Sequence, residues 1–216
     1  MRKPFRILLA VTTLMTLPFS AGGIVGSKHD FSSASWNHTG EICRTCHVPH
    51  DHGRDTGSVG LLWNHALPNH AYTMYSSDTL DGAIEPEPTG ISKMCLGCHD
   101  GTVAIDEFDN RVGSGGSHFV PEAARVPNLP GNPGNDLSAT HPISIRWTHD
   151  DAPSCSNCHD MHAPGGRTFI SELPFFDGRV ECASCHEPHG DVPPGSPHFL
   201  RKSPVASEIC FHCHGK

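Results

Sequence analysis

The chain has 216 residues, a formal net charge of −8 and 36% hydrophobic residues, with 22 Gly and 19 Pro. Only 44 residues are Leu, Ile, Val or Phe, and eight of these lie in the first 20 positions, so they make up just under a fifth of the remainder of the chain. Low hydrophobicity with a net negative charge excludes a self-sufficient apolar core and speaks against nucleic acid as a partner, so something other than side chains has to supply the core.

The first segment reads as an export signal. Arg2, Lys3 and Arg6 precede an apolar run from Ile7 to Leu17, Pro18 ends it, and small residues follow at Ser20, Ala21, Gly22 and Gly23. Residues 1–22 are therefore expected to be cleaved, after Gly22 or Gly23, and the run is too short to span a bilayer. Loss of its three cations takes the formal charge from −8 to −11. No later stretch is apolar enough for a membrane span.

Beyond the signal, short helices are expected over 40–47, 91–98, 153–159, 180–186 and 205–213, with Asp151, Ser154 and Ser207 as caps. Strands are expected to be few or absent. Each helix carries one copy of the same motif: Cys43-Arg-Thr-Cys46-His47, Cys95-Leu-Gly-Cys98-His99, Cys155-Ser-Asn-Cys158-His159, Cys182-Ala-Ser-Cys185-His186 and Cys210-Phe-His-Cys213-His214. The ten cysteines are all used. C-x-x-C-H is the attachment signature of haem c. Two thiols three positions apart share one side of a helical turn, where they form thioethers to the two vinyl groups of a porphyrin, and the following His meets the iron. Zinc pairs such motifs in fours and has no need of a His after each second Cys. A disulfide framework does not produce this spacing five times, and a thioredoxin-like site has one C-x-x-C in a βαβ setting. The expected cofactor is thus five covalent haems c.

The gaps between motif starts are 52, 60, 27 and 28 residues, which divides the chain into a looser two-haem part, 23–150, and a compact three-haem part, 151–216. Residues 100–150 are rich in Gly, Pro and Asn and read as loop, with His141 expected to tie its end to an iron. The expected fold is mostly irregular, with short α-helices at the haem motifs, little or no β, and haems acting as staples in place of a core.

Each iron needs a sixth ligand or an open site. Eighteen His less five proximal ones leave thirteen, whereas outside the signal only Met74, Met94 and Met161 remain. Bis-His ligation and low reduction potentials are expected. Three motifs continue to C-x-x-C-H-x-x-H and supply His50, His162 and His189, each on the wrong face of its own haem and so directed to a neighbour. His29, His65 and His141 are the further distal candidates, ahead of His118. His38, His52, His70, His149 and His198 read as surface residues, and His212 as no ligand.

The segments Lys28-His29-Asp30, Cys46-His47-Val-Pro-His50, Leu62-Trp63-Asn64-His65, Tyr72-Thr-Met-Tyr-Ser-Ser77, His141-Pro142, Val180-Glu-Cys-Ala-Ser-Cys-His-Glu-Pro-His189 and Phe199-Leu-Arg-Lys202 make the chain resemble multihaem cytochromes with doubled C-x-x-C-H motifs. These include tetrahaem members that polymerise into extracellular filaments. Cys155-Ser-Asn-Cys-His-Asp-Met-His162 departs from them as one extra haem site. The resemblance implies that a His of one subunit can ligate a haem of the next, and His29 is the natural donor.

The function that follows is electron transfer without catalysis, in the periplasm or outside the cell. Partners would be redox proteins or extracellular electron acceptors, or further copies of the chain in a filament. A soluble periplasmic donor to a terminal reductase is the alternative. A reductase in its own right is the weaker one, because it needs an open iron and a substrate chamber, and no C-x-x-C-K occurs.

Overall fold

The computed structural model describes residues 23–49, 62–80, 82–109, 118–126, 134–146, 173–193 and 196–213. The signal 1–22, the third motif with Cys155, Cys158, His159 and His162, and the residues His50, Trp147, Asp151, Ser154 and His214 lie outside them.

The described chain is mostly turns and irregular segments, as expected. Its regular elements are β1 (Ala83–Ile84), α1 (Gly90–His99), β2 (Ile145–Arg146), β3 (Arg179–Val180) and α2 (Cys182–Cys185), with 3-10 turns at Glu122–Ala124, Pro197–Phe199, Val205–Ser207 and Cys210–His212. The strands form one antiparallel sheet in the order β1-β2-β3, with Ile84 opposite Ile145 and Ile145 opposite Val180. Arg146 faces Arg179 in this register. Two like charges opposite each other repel, and Glu85 relieves them by accepting from Arg179 Nε at 2.9 Å and from Arg146 at 3.2 Å.

Helices appear where expected at the second and fourth motifs, 91–98 and 180–186, although α2 is a single turn. Two expectations fail. The stretch 40–47 is a hydrogen-bonded turn, in which the amides of Cys46 and His47 both donate to the Cys43 carbonyl at 3.1 and 2.8 Å. It stops there because the next backbone groups pair elsewhere: His47 bridges to Trp63, and the Val48 amide donates to the Leu62 carbonyl at 2.9 Å. The stretch 205–213 is two 3-10 turns instead of a helix, and Ser207 ends the first of them without capping the second. Ala206 and Ser207 have φ of 53° and 62°, a left-handed backbone that breaks a helix.

The apolar core is small. Tyr72, Leu96 and Leu137 form its centre, with Met74, Val126 and Ile143 packed against them. Met94 is also buried, in α1. Both described methionines outside the signal are thus packing residues. Leu96 lies inside the second motif, so α1 seats one side of that motif on the core while its cysteines remain partly exposed.

Candidate haem-binding sites

The first, second and fourth motifs are described in full and the fifth as far as Cys213. At the first, Asn64 is fully buried and clamps the turn. Its Nδ2 donates to the Arg44 carbonyl at 2.5 Å and to Asp109 Oδ1 at 2.9 Å, while its backbone N–H donates to the Cys46 carbonyl at 2.9 Å. Asp109 also accepts from Arg44 Nε at 2.9 Å. Burial works against ionising Asp109, but Arg44, Asn64 and His38 outweigh it and hold the carboxyl below its ordinary range. Truncation of Asn64 strands buried partners, each costing about 1–3 kcal/mol. Asn64→Ala is therefore expected to lower the thermal unfolding temperature of the holo-protein; an unchanged transition would mean that the clamp is immaterial.

The second and fourth motifs begin on one buried carboxylate. Glu181 caps α2 in a reciprocal box with Ser184. It also accepts from Thr89 Oγ1 at 2.7 Å and Ser144 Oγ at 3.3 Å. Thr89 is the N-cap of α1, so a single side chain aligns the starts of both helices. Ser92 Oγ in α1 then accepts from the Cys182 amide at 2.9 Å. The result brings the Cys95 and Cys182 thiols into hydrogen-bonding contact. That shared bond raises the Cys95 thiol and lowers that of Cys182. Cys46 lies within electrostatic reach of Cys95 and Cys98, and Cys185 within reach of Cys213 and Cys210. The described motifs therefore adjoin in the order first, second, fourth, fifth.

Burial pushes the Cys46 and Cys185 thiols up to about 11. Cys98 and Cys213 rise for the same reason. None of Cys43, Cys46, Cys95, Cys98, Cys182, Cys185, Cys210 and Cys213 is in a disulfide.

Two of the proximal histidines share an orientation. His99 Nδ1–H donates to the Ala124 carbonyl at 2.7 Å, and His186 Nδ1–H to the His198 carbonyl at 2.8 Å. Both carbonyls belong to 3-10 turns, at Glu122–Ala124 and Pro197–Phe199. A carbonyl has no proton to give, so Nδ1 must carry one, and in the neutral ring the lone pair sits on Nε2. This is how a ligating His is set for its metal. Asp100, buried directly after His99, accepts from Tyr72 Oη at 2.5 Å and from the Thr102 amide at 2.7 Å, which fixes the end of α1.

Two distal candidates lie opposite proximal residues. The rings of His29 and His99 have centroids 6.0 Å apart at 65°, and those of His47 and His189 are 6.1 Å apart at 19°. His29 Nδ1–H points to the Pro188 carbonyl at 3.3 Å. Burial, with smaller contributions from His99 and His189, lowers the His29 pKa and keeps the ring neutral, the form that binds a metal. His189 Nδ1–H donates to Glu187 Oε1 at 3.0 Å. His29 thus contacts Pro188, His99 and Phe199 of its own chain.

The other described candidates are placed differently. His65 is buried, with Nδ1 2.8 Å from the Ala66 carbonyl, Nε2 3.0 Å from the Ala104 carbonyl, and the Cys98 sulfur 3.5 Å from Nε2. His141 is exposed and its Nδ1–H donates to the Pro142 carbonyl at 2.9 Å. His118 pairs with Asp106 at 3.3 Å.

These residues fit haem c. Cysteines stand three apart in each motif, and at the second and fourth motifs the imidazole that follows has its Nδ1 held by a carbonyl. At the first motif, Trp63 packs edge-on to His47 at 5.8 Å, and its buried Nε1–H and the nearby Thr45 hydroxyl have no hydrogen-bond partner. Such unspent donors suit propionate oxygens. Sequence reasoning missed Asn64, Glu181 and the two carbonyl-bearing turns. A Glu directly before Cys182 with a Ser three positions on is the one capping signal that could have revealed Glu181.

A family model described as the doubled CXXCH motif matches residues 174–216, which contain the fourth and fifth motifs. No curated protein matches the chain. The match supports covalent haem attachment by that segment and electron transfer of the kind multihaem c-type cytochromes carry out.

Proposed function

We propose that the protein is an exported pentahaem cytochrome c that carries electrons along close-set haems with two His ligands each. The observation behind this reading is the spacing of the two histidine pairs. Two metal–imidazole bonds of about 2 Å, with about 1.1 Å more from each nitrogen to its ring centre, put axial imidazoles roughly 6.3 Å apart. The observed separations are 6.0 and 6.1 Å. Parallel rings at 6.1 Å are too distant to stack on one another, but they match a pair that grips one iron.

On this reading His99 and His29 hold the second iron, and His47 and His189 the first. Bound there, haem c supplies reversible one-electron chemistry at low potential. The chain's part is to hold the imidazoles in one tautomer and to keep the motifs in contact. With both axial positions filled by the chain, those two sites have no place for a substrate, which favours transfer over reduction of a substrate.

His29 occupies a position within its own chain, and this favours a discrete carrier. A filament would have to take its bridging ligand from elsewhere. No helix among the described residues is long and apolar enough to cross a membrane. The partners on this reading are redox proteins or extracellular electron acceptors, reached after loss of residues 1–22.

The test is stoichiometry. Pyridine haemochrome absorbance per protein, with the intact mass, should give five haems and no reactive thiol. Four haems with Cys155 and Cys158 open to alkylation would overturn the pentahaem reading. Electron microscopy of the same sample should show discrete particles; filaments would restore the conductor.

A further inference from the structure

Among the described histidines facing a proximal partner, His189 has a distinctive neighbour. His99, His186 and His29 direct Nδ1–H to neutral carbonyls, whereas His189 directs it to the carboxylate of Glu187. Glu187 is firmly held. Its Oε1 accepts the His189 ring N–H at 3.0 Å and the His189 amide at 3.2 Å, and its Oε2 accepts from Arg201 at 2.7 Å. Its own amide donates to the Phe199 carbonyl at 2.8 Å. Arg201 is anchored in turn, Nε donating to the Ala183 carbonyl at 2.8 Å and its backbone amide to the Cys185 carbonyl at 2.9 Å.

We propose that Glu187 is a positioning residue that sets the reduction potential of the first haem by drawing on the Nδ1–H of His189. The inference rests on the reading above, in which His189 and His47 share one iron. A carboxylate acceptor makes the imidazole a stronger donor than a carbonyl acceptor does. A stronger donor and a nearby negative charge favour the ferric state. One electron takes that iron from ferric to ferrous; the Nδ1 proton stays on His189 and no bond is made or broken. Arg201 holds Glu187 in place and offsets part of its charge. The first haem therefore lies lower in potential than it would with a carbonyl partner, and the fourth motif acts on it through its own H-x-x-H extension.

The experiment is spectroelectrochemical titration of the holo-protein with Glu187→Gln, alongside EPR of the oxidised form. Glutamine keeps an oxygen that can accept from His189 but loses the charge. One of the midpoints should move upward by about a tenfold change in its one-electron equilibrium, about 59 mV. One low-spin signal should widen its g-spread as the ligand loses imidazolate character. Unshifted midpoints, with that signal unchanged, would overturn the role of Glu187. Should the glutamine substitution disturb the Arg201 contacts, Glu187→Asp provides the second variant: it keeps the charge with a shorter reach, and its midpoint should fall between those of the glutamine variant and the native protein. A midpoint for the aspartate variant equal to or above that for the glutamine variant would count against the charge. His189→Ala separates the two ideas. A high-spin signal in that variant, with no shift in the glutamine variant, rejects Glu187 alone, and no high-spin signal rejects the His47–His189 pairing itself.

Discussion

On the proposed pentahaem reading with two His ligands per iron, replacing His189 with alanine should convert one haem in five from low to high spin, and replacing His29 should do the same to a second. Each variant loses one of two axial imidazoles while keeping its C-x-x-C-H attachment, so the haem count stays at five. The spin change appears in ferric EPR and as a weakening of the low-spin α band on reduction. Substitution of both residues should leave two haems high spin, since the pairs 29/99 and 47/189 share no residue. His38 serves as a control, because its Nε2 already faces Asp109 at 3.1 Å, and His38→Ala should leave the spin state untouched. If His29→Ala remains fully low spin, another residue holds that position and the His29–His99 pair is only a packing contact.

The largest stability effect is expected at Gly134. Its φ is +84°, and an added Cβ would lie 1.6 Å from the Asp100 carbonyl oxygen and 2.6 Å from the carbonyl carbon. Backbone cannot yield as a flexible side chain does. The segment that follows would have to lift away from α1, and it carries the hydrogen bonds from Thr73 to Asn135 and from Leu137 to Thr73, 2.9 and 2.8 Å long. Leu137 would then leave the cluster with Tyr72 and Leu96. Overpacking and a left-handed alanine together cost about 3–5 kcal/mol, against a total stability of about 5–15 kcal/mol for an ordinary domain. Gly134→Ala should unfold well below the native protein in a thermal scan of the holo form. Gly26→Ala is the comparison, with φ of +72° but nothing within 4 Å of its Cβ, so it bears the backbone strain alone. Equal transitions for the two variants would show that the contact with Asp100 is easily relieved.

The parts of this molecule that were legible in the sequence are those whose chemistry is local. The C-x-x-C-H copies announce their own role, and the helices at 91–98 and 180–186 follow from it. The Gly- and Pro-rich composition foretells irregular chain. The H-x-x-H spacing says that His189 cannot serve its own haem, but not which one it faces. That choice depends on how α1 and α2 pack, and the packing turns on Glu181 and Ser92, residues without a visible motif. The expected helix at 40–47 fails because Trp63 and Leu62 compete for the same backbone groups, a contact between distant segments. The burial of His65, with its ring nitrogens 2.8 and 3.0 Å from the Ala66 and Ala104 carbonyls, is likewise set by contacts between distant segments that Trp-Asn-His does not announce. The carbonyls that orient His99 and His186 come from turns that follow them at 25 and 12 residues' distance, with nothing in their side chains to mark them.

The pairing of β2 with β3 has a consequence for chain entropy. Arg146 and Arg179 stand opposite each other, so the two ends of the stretch that joins them are fixed at neighbouring points. The closure cost of such a detour grows only with the logarithm of its length, and doubling it adds about 0.6 kcal/mol. The contact between Cys95 and Cys182 is made from α1 and α2, outside the detour. Thermodynamically, the sheet is therefore a tolerant point of insertion, where chain can be added while the ends of the detour stay fixed.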